Sequence, residues 1–333
     1  MKFGQTPVAD ALGAISAHAV RMGEARLKKG QAIGEAEQRA LLAAGIDTIV
    51  AAMLEPGDVA EDAAALQLAQ AIAGPHLRLD PPFTGRVNLF ATASGLLRVA
   101  RPRIDAVNRT DDAITVATLP EFADVAEGDM AATVKIIPFA TRATSLQAAC
   151  VAAGTAAVSV APYRPLRVGV VSTLLPGLKP SVVNKTLGVL EARLAPARAR
   201  IVMERRCPHE TDALAQTLAQ AGRDCEALIV FGASAITDRR DVIPAALEAA
   251  GGRIEHFGMP VDPGNLLLFG ELDGRPLIGA PGCARSPKEN GFDWVLGRVL
   301  AGVPVARADI QAMGVGGLLM EIETRPQPRQ GDG

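Results

Sequence analysis

Hydrophobic positions change texture twice along the chain. Over residues 1–80 they fall at helical spacing: GEAEQRALLAAGI (34–46) closes on Gly45 and EDAAALQLAQAIAGP (61–75) closes on Gly-Pro, and both endings stop helices. The pattern predicts a small α-rich N-terminal segment. Over 81–165 short runs rich in Val, Ile, Thr and Phe take over, namely GRVNLFAT, LLRVARP, AITVATLP and MAATVKIIPFAT, punctuated by Gly, Pro, Asn and Asp. These predict a mainly β module with a helix near 142–153.

Residues 166–305 alternate apolar β-branched runs with amphipathic stretches. LRVGVVST, ARIVMERR, CEALIVFG, IEHFGMPV, LLLFGEL and PLIGAPG read as strands; NKTLGVLEARLAP, TDALAQTLAQAG, DVIPAALEAAGG and KENGFDWVLGRVLAG read as helices. Strands separated by crossover helices predict an α/β domain with a doubly wound, mostly parallel sheet. The remaining 306–333 ends in TRPQPRQGDG, the composition of a tail or linker.

Composition narrows the function classes. Lys and Arg total 34 against 36 Asp and Glu, a net charge of −2, and aromatic residues make up 3%. A nucleic-acid partner is therefore not expected, because there is neither a basic excess nor a supply of stacking rings. The most apolar stretch, AACVAAGTAAVSVAP (148–162), is too short and too dotted with Gly, Ser and Thr to cross a bilayer, so no membrane association is expected. Cys150, Cys207, Cys225 and Cys283 lie far apart without a C-x-x-C frame, which points to a reducing, cytoplasmic setting. Neither G-x-G-x-x-G after the first strand of a βαβ unit nor G-x-x-x-x-G-K-[ST] is present.

In open α/β sheets ligands bind outside the carboxyl ends of the strands, which selects the loops 172–184, 231–241 and 280–288. The first carries Ser172, Thr173, Gly177 and Lys179 before Asn184, hydroxyls and a turn facing a helix start, which suits an anion or simply caps the turn. The second carries Gly232, Ala233 and Ser234, small enough for close backbone approach, then Asp241, which could hold a metal-bound phosphate or N-cap the next helix. The third carries Pro281, Gly282, Cys283, Arg285 and Lys288, a sharp turn followed by two cations. Cys283 is read as a packing residue, and His18, His76, His209 and His256 as structural or surface histidines. Together the three loops suit a phosphorylated small ligand.

At these residues the chain resembles the molybdopterin-binding domain shared by molybdopterin adenylyltransferases, molybdotransferases and gephyrin. VVST (170–173), Asn184, HETDAL (209–214), FGASAITDRRDVIPAAL (231–247), VDPGN (261–265) and IGAPGCARS (278–286) follow one another in the order of the family's motifs. LKKGQAIGEAEQRALLAAGIDTIVAAML is similar to the segment preceding this domain in molybdotransferases, and the whole chain looks like the front portion of bacterial fusions to a cofactor nucleotidyltransferase.

The resemblance implies a molybdopterin-binding protein of molybdenum-cofactor biosynthesis, performing nucleotidyl transfer or molybdate insertion. A non-catalytic carrier of the cofactor and a paralogue for another phosphorylated ligand are the alternatives. It further implies molybdopterin or its nucleotide form as cofactor, with Mg2+, and a partner nucleotidyltransferase or recipient molybdoenzyme. A homo-oligomer is also implied. Binding is expected from Ser172, Thr173, Asn184, Gly232, Ala233, Ser234, Pro263, Gly264, Pro281, Gly282 and Arg285, and a catalytic and metal-holding role from Asp241. The sequence departs from the family at Phe231–Ser234, where Gly-Gly-Thr-Gly is usual. It departs again at Asp262 in place of a lysine, and at Cys283 and Ala284 in place of Asn-Pro.

Overall fold

A computed structural model describes residues 1–222 and 224–319. The chain is a mixed α/β protein that divides into two units, 1–161 and 162–333.

The first unit is richer in strands than the helical spacing of its first 80 residues implies. Helices form at the expected places, Glu35–Ala43 and Glu61–Ile72, but Lys2–Pro7 pairs antiparallel with Thr48–Met53, and a small hairpin joins Val20–Met22 to Ala25–Leu27. These strands are three to six residues long and partly polar, so they carry too few apolar repeats to register as a period. Further on, Ile114–Thr118, Met130–Ile136, Arg86–Ala91 and Leu77–Leu79 form a four-stranded antiparallel sheet, with a helix at Ala143–Ala153. LLRVARP is split: the strand ends at Val99 and Arg101 opens a helix to Asn108, with Pro102 in the first turn, where its missing N–H costs nothing.

The second unit holds the alternating region. Its elements are β1 (Arg167–Leu174), α1 (Pro180–Leu194), β2 (Arg200–Pro208), α2 (Thr211–Ala219), β3 (Ala227–Phe231), α3 (Val242–Ala249), β4 (Arg253–Phe257), β5 (Leu268–Leu272), β6 (Arg275–Ala280), α4 (Gly291–Leu300) and α5 (Arg307–Gln311). The sheet runs β2-β1-β3-β6-β5-β4. β2, β1, β3 and β6 are parallel, while β5 and β4 are antiparallel, so the sheet is mixed. The antiparallel pair β5–β6 turns at Asp273-Gly274, both with positive φ, the Asp-Gly signature of a tight hairpin.

Alternating side chains of the sheet feed two cores. Val168, Val170, Ile229 and Phe231 pack with Leu190 and Leu194 of α1 and Phe292 and Val295 of α4. Val171, Leu228 and Val230 pack with Leu214 and Leu218 of α2 and Ile243 and Leu247 of α3. Apolar residues buried on both faces explain why β1 and β3 read as continuous hydrophobic runs rather than alternating ones. At the sheet's outer edges, β2 exposes Arg200, Glu204, Arg205 and Arg206, and α5 lies against β4 with the Arg307 Nε donating to the Glu255 carbonyl at 3.3 Å. The region assigned from sequence to a tail begins with α5 and extends to Leu319, whose amide donates to the Asp262 carbonyl at 3.0 Å; TRPQPRQGDG lies outside the described residues.

Candidate functional site

Strand register brings the three candidate loops together. Ser172 of β1 pairs with Phe231 of β3, and Phe231 pairs with Ala280 of β6, so all three chains leave the sheet side by side at its carboxyl edge. β2 ends one strand further out, with Thr173 opposite Cys207 and Leu174 opposite Pro208, and delivers His209 to the same edge.

Some cross-links between the loops are made by residues that the sequence singles out, Thr173, Ala233, Gly232 and Arg285. The Thr173 hydroxyl accepts from the Ala233 amide at 2.9 Å and lies 2.8 Å from the Nδ1 of His209. The Arg285 guanidinium donates to the Gly232 carbonyl at 2.7 Å and to the Thr186 hydroxyl of α1 at 3.2 Å, and its carbon lies 5.6 Å from the centre of the Phe231 ring. Burial pulls its pKa down from the usual arginine value. Arg285 thus fastens the third loop to the second.

Asp241 stands at the first turn of α3 as its N-cap. Its Oδ2 accepts from the Thr237 amide and its Oδ1 from the Val242 amide, each at 3.0 Å. The Thr237 amide is the main cause of a carboxyl pKa below the ordinary aspartate value, with smaller help from Val242, the Thr237 hydroxyl and the charge of His209. Oδ2 also accepts from the Thr237 hydroxyl at 3.4 Å, while Oδ1 keeps a lone pair for a further partner. The capping role weighed for this residue is therefore realised.

Other positions fall differently. Ser172 is buried, and its Oγ has no hydrogen-bond partner among the described residues. Ser234 and Gly282 are exposed, and no atom lies within 4 Å of the space a Gly282 β-carbon would take. α1 begins four residues before Asn184, at Pro180; Asn184 sits inside the helix, exposed, with its Oδ1 accepting from the Arg206 guanidinium at 2.9 Å. Pro263, Gly264 and Pro281 are buried. The first two close a turn packed on the start of α4, where the Pro263 carbonyl accepts from the Gly291 amide at 2.8 Å. Their small size serves packing, an arrangement that a Pro-Gly dipeptide in sequence does not distinguish from ligand approach.

The third loop is held by Arg193 of α1, a residue that the sequence pattern does not single out. It donates to the Ala284 carbonyl at 2.8 Å and the Ser286 carbonyl at 2.7 Å, pairs with Asp293, and lies 5.7 Å from the Phe292 ring centre. Burial pushes the Cys283 thiol pKa up, away from the thiolate. His209, read from the sequence as structural or surface, reaches this edge because it directly follows the strand that ends beside Thr173. No group of three or more His, Cys, Asp or Glu able to hold a metal occurs among the described residues. No helix among them is long and apolar enough to cross a membrane.

No protein-family model matches the sequence, and no curated protein matches it. Among solved structures, the chain is similar to a molybdopterin biosynthesis MoeA protein from Pyrococcus horikosii, with 14% identity over 91% of this chain and 76% of that one, at a TM-score of 0.32. It is also similar to a molybdenum cofactor biosynthesis protein B, with 14% identity over 42% of this chain and 96% of that one, at a TM-score of 0.31. A molybdenum cofactor biosynthesis protein from Pyrococcus furiosus shares 12% identity over 92% of this chain and 66% of that one, at 0.27. Likenesses at this level leave the functional reading to the site itself.

Proposed function

We propose that the second unit binds molybdopterin, or its nucleotide form, at the carboxyl edge of its sheet, and that the protein serves molybdenum-cofactor biosynthesis. The observation that carries the reading is the register Ser172–Phe231–Ala280, which sets three separately recognised motif loops side by side. Helices on both faces of the sheet fit the doubly wound domain that the motif order implies.

In this reading the exposed Ser234 hydroxyl gives up its bond to the Ala235 carbonyl, 3.2 Å away, to donate to the ligand, and Ser172 supplies a hydroxyl with no partner among the described residues. Gly282 leaves open space for close approach. Asn184 offers its amide nitrogen from the face of α1 while its oxygen holds Arg206. Arg285 and Thr173 act mainly by fixing the loops, since their polar atoms are engaged with Gly232, Thr186 and Ala233. Asp241 has a free lone pair on Oδ1 with which to serve as one carboxylate ligand of Mg2+, a metal that commonly takes one or two protein carboxylates and completes its shell with phosphate and water. Magnesium, when bound there, would neutralise phosphate charge.

A second reading, a carrier that binds the cofactor without transforming it, is favoured by Asp262, which stands where the related pattern has a lysine, and by the internal engagement of Arg285. Incubation with molybdopterin, Mg2+ and ATP or CTP separates the readings. Nucleotidylated product supports the transferase, and tight binding without product supports the carrier. Absence of binding at micromolar molybdopterin removes both and leaves a fold kept for another phosphorylated ligand.

A further inference from the structure

We infer that His209 is a ligand-binding residue of this edge, presenting its Nε2–H to an anionic oxygen, and that Thr173 is the positioning residue that fixes its tautomer. The inference rests on the phosphorylated-ligand reading above.

Thr173 is 1% exposed, so every polar atom of its side chain must be satisfied internally. Its oxygen accepts the Ala233 N–H at 2.9 Å. One group remains within reach of its proton: the Nδ1 of His209 at 2.8 Å. If Nδ1 carried the hydrogen instead, the hydroxyl proton would be left buried without an acceptor, at the cost of a lost hydrogen bond. The arrangement that satisfies all three groups has Ala233 donating to Thr173, Thr173 donating to Nδ1, and the imidazole hydrogen on Nε2.

The backbone supports the same orientation. The His209 amide donates to the Leu174 carbonyl at 2.9 Å, so the residue is tied to the end of β1 directly beside the hydroxyl that holds its ring. His209 is half-buried, and no second hydrogen bond of its ring is found among the described residues. Of the side chains at this edge, Arg285 and Thr173 are already engaged by the protein, whereas the His209 Nε2 has no protein partner among the described residues. A donor held at that point by a buried hydroxyl fits a phosphate oxygen better than an apolar ring, which would leave it unpaired.

Long-range 1H–15N spectra of the imidazole, together with molybdopterin binding, test the inference. Hydrogen on Nε2 is expected in the wild-type protein, a mixture of tautomers in Thr173→Val, and return to Nε2 in Thr173→Ser. His209→Ala should weaken molybdopterin binding about 10- to 100-fold, the loss expected for a hydrogen bond to a charged group. His209→Gln, whose amide accepts and donates at the equivalent atoms, should recover most of that loss. Hydrogen on Nδ1, or His209→Ala binding as tightly as wild type, overturns the inference. Should the wild-type protein not bind molybdopterin, the function reading falls and takes the ligand role with it, while the spectra still decide the tautomer.

Discussion

Gly264 and Gly291 are in backbone contact: a β-carbon on Gly264 would lie 2.7 Å from the Gly291 amide nitrogen and 2.8 Å from its α-carbon. Gly264 also has φ of 144°, a conformation that side chains rarely adopt. Gly264→Ala should therefore lower stability by about 1–3 kcal/mol, the usual cost of overpacking. Gly291→Ala meets the flexible end of Met259, which can move aside, and should cost less. Urea midpoints of the two variants, with m-values unchanged, check the order.

Asp241 has a capping role that can be separated from its charge. Asp241→Ala removes the acceptor for the Thr237 and Val242 amides and should cost about 0.5–2 kcal/mol, whereas Asp241→Asn keeps a good cap and should cost little near neutral pH. Because the folded-state carboxyl pKa lies below its unfolded value near 3.9, the charge-dependent share of this stability is present above about pH 4 and is lost as pH falls through the folded pKa. Thermal melts of wild type and Asp241→Asn from neutral pH down to pH 2 should converge at the acid end. If Mg2+ is held here, Asp241→Asn should lose Mg2+-dependent ligand binding while remaining folded.

Ser172 gives the opposite sign. Its buried hydroxyl has no partner among the described residues, so Ser172→Ala should leave stability unchanged or raise it by about 1 kcal/mol. If the hydroxyl is kept for the ligand, the same variant should bind molybdopterin more weakly. Parallel denaturation and binding titrations would read the two effects.

Arg193 governs the third loop from outside it. Arg193→Ala removes bonds to the Ala284 and Ser286 carbonyls and leaves Asp293 unpaired, at a cost of about 2–4 kcal/mol. Hydrogen exchange should quicken over 282–288 before the central strands respond.

How far the sequence foretells this molecule depends on the length of each periodic signal. β1, β3, α2, α3 and α4 are long or strongly apolar enough that pattern alone places them. The direction of β5 was not evident from alternation, yet Asp273-Gly274 between two apolar runs is a hairpin signal strong enough to have shown the antiparallel turn. The early strands were hidden by brevity, and α3 of the site region was found while its cap was left open, because Asp at a helix start serves capping and ligation equally. The three loops were legible through motif order. What joins them was not: the Arg193 contacts lie some ninety residues apart in sequence, and His209 follows a strand whose parallel partner β1 precedes it by a full helix. Such pairings exist only once strand order is fixed.

Both borders of the six-stranded sheet carry features that discourage a further strand. Charged side chains crowd β2, and a short helix anchored by Arg307 shields β4. Main-chain zippering between copies, the commonest route from an open sheet to fibrils, is thereby disfavoured in this unit. Contacts through side chains on the helical layers meet no such obstacle.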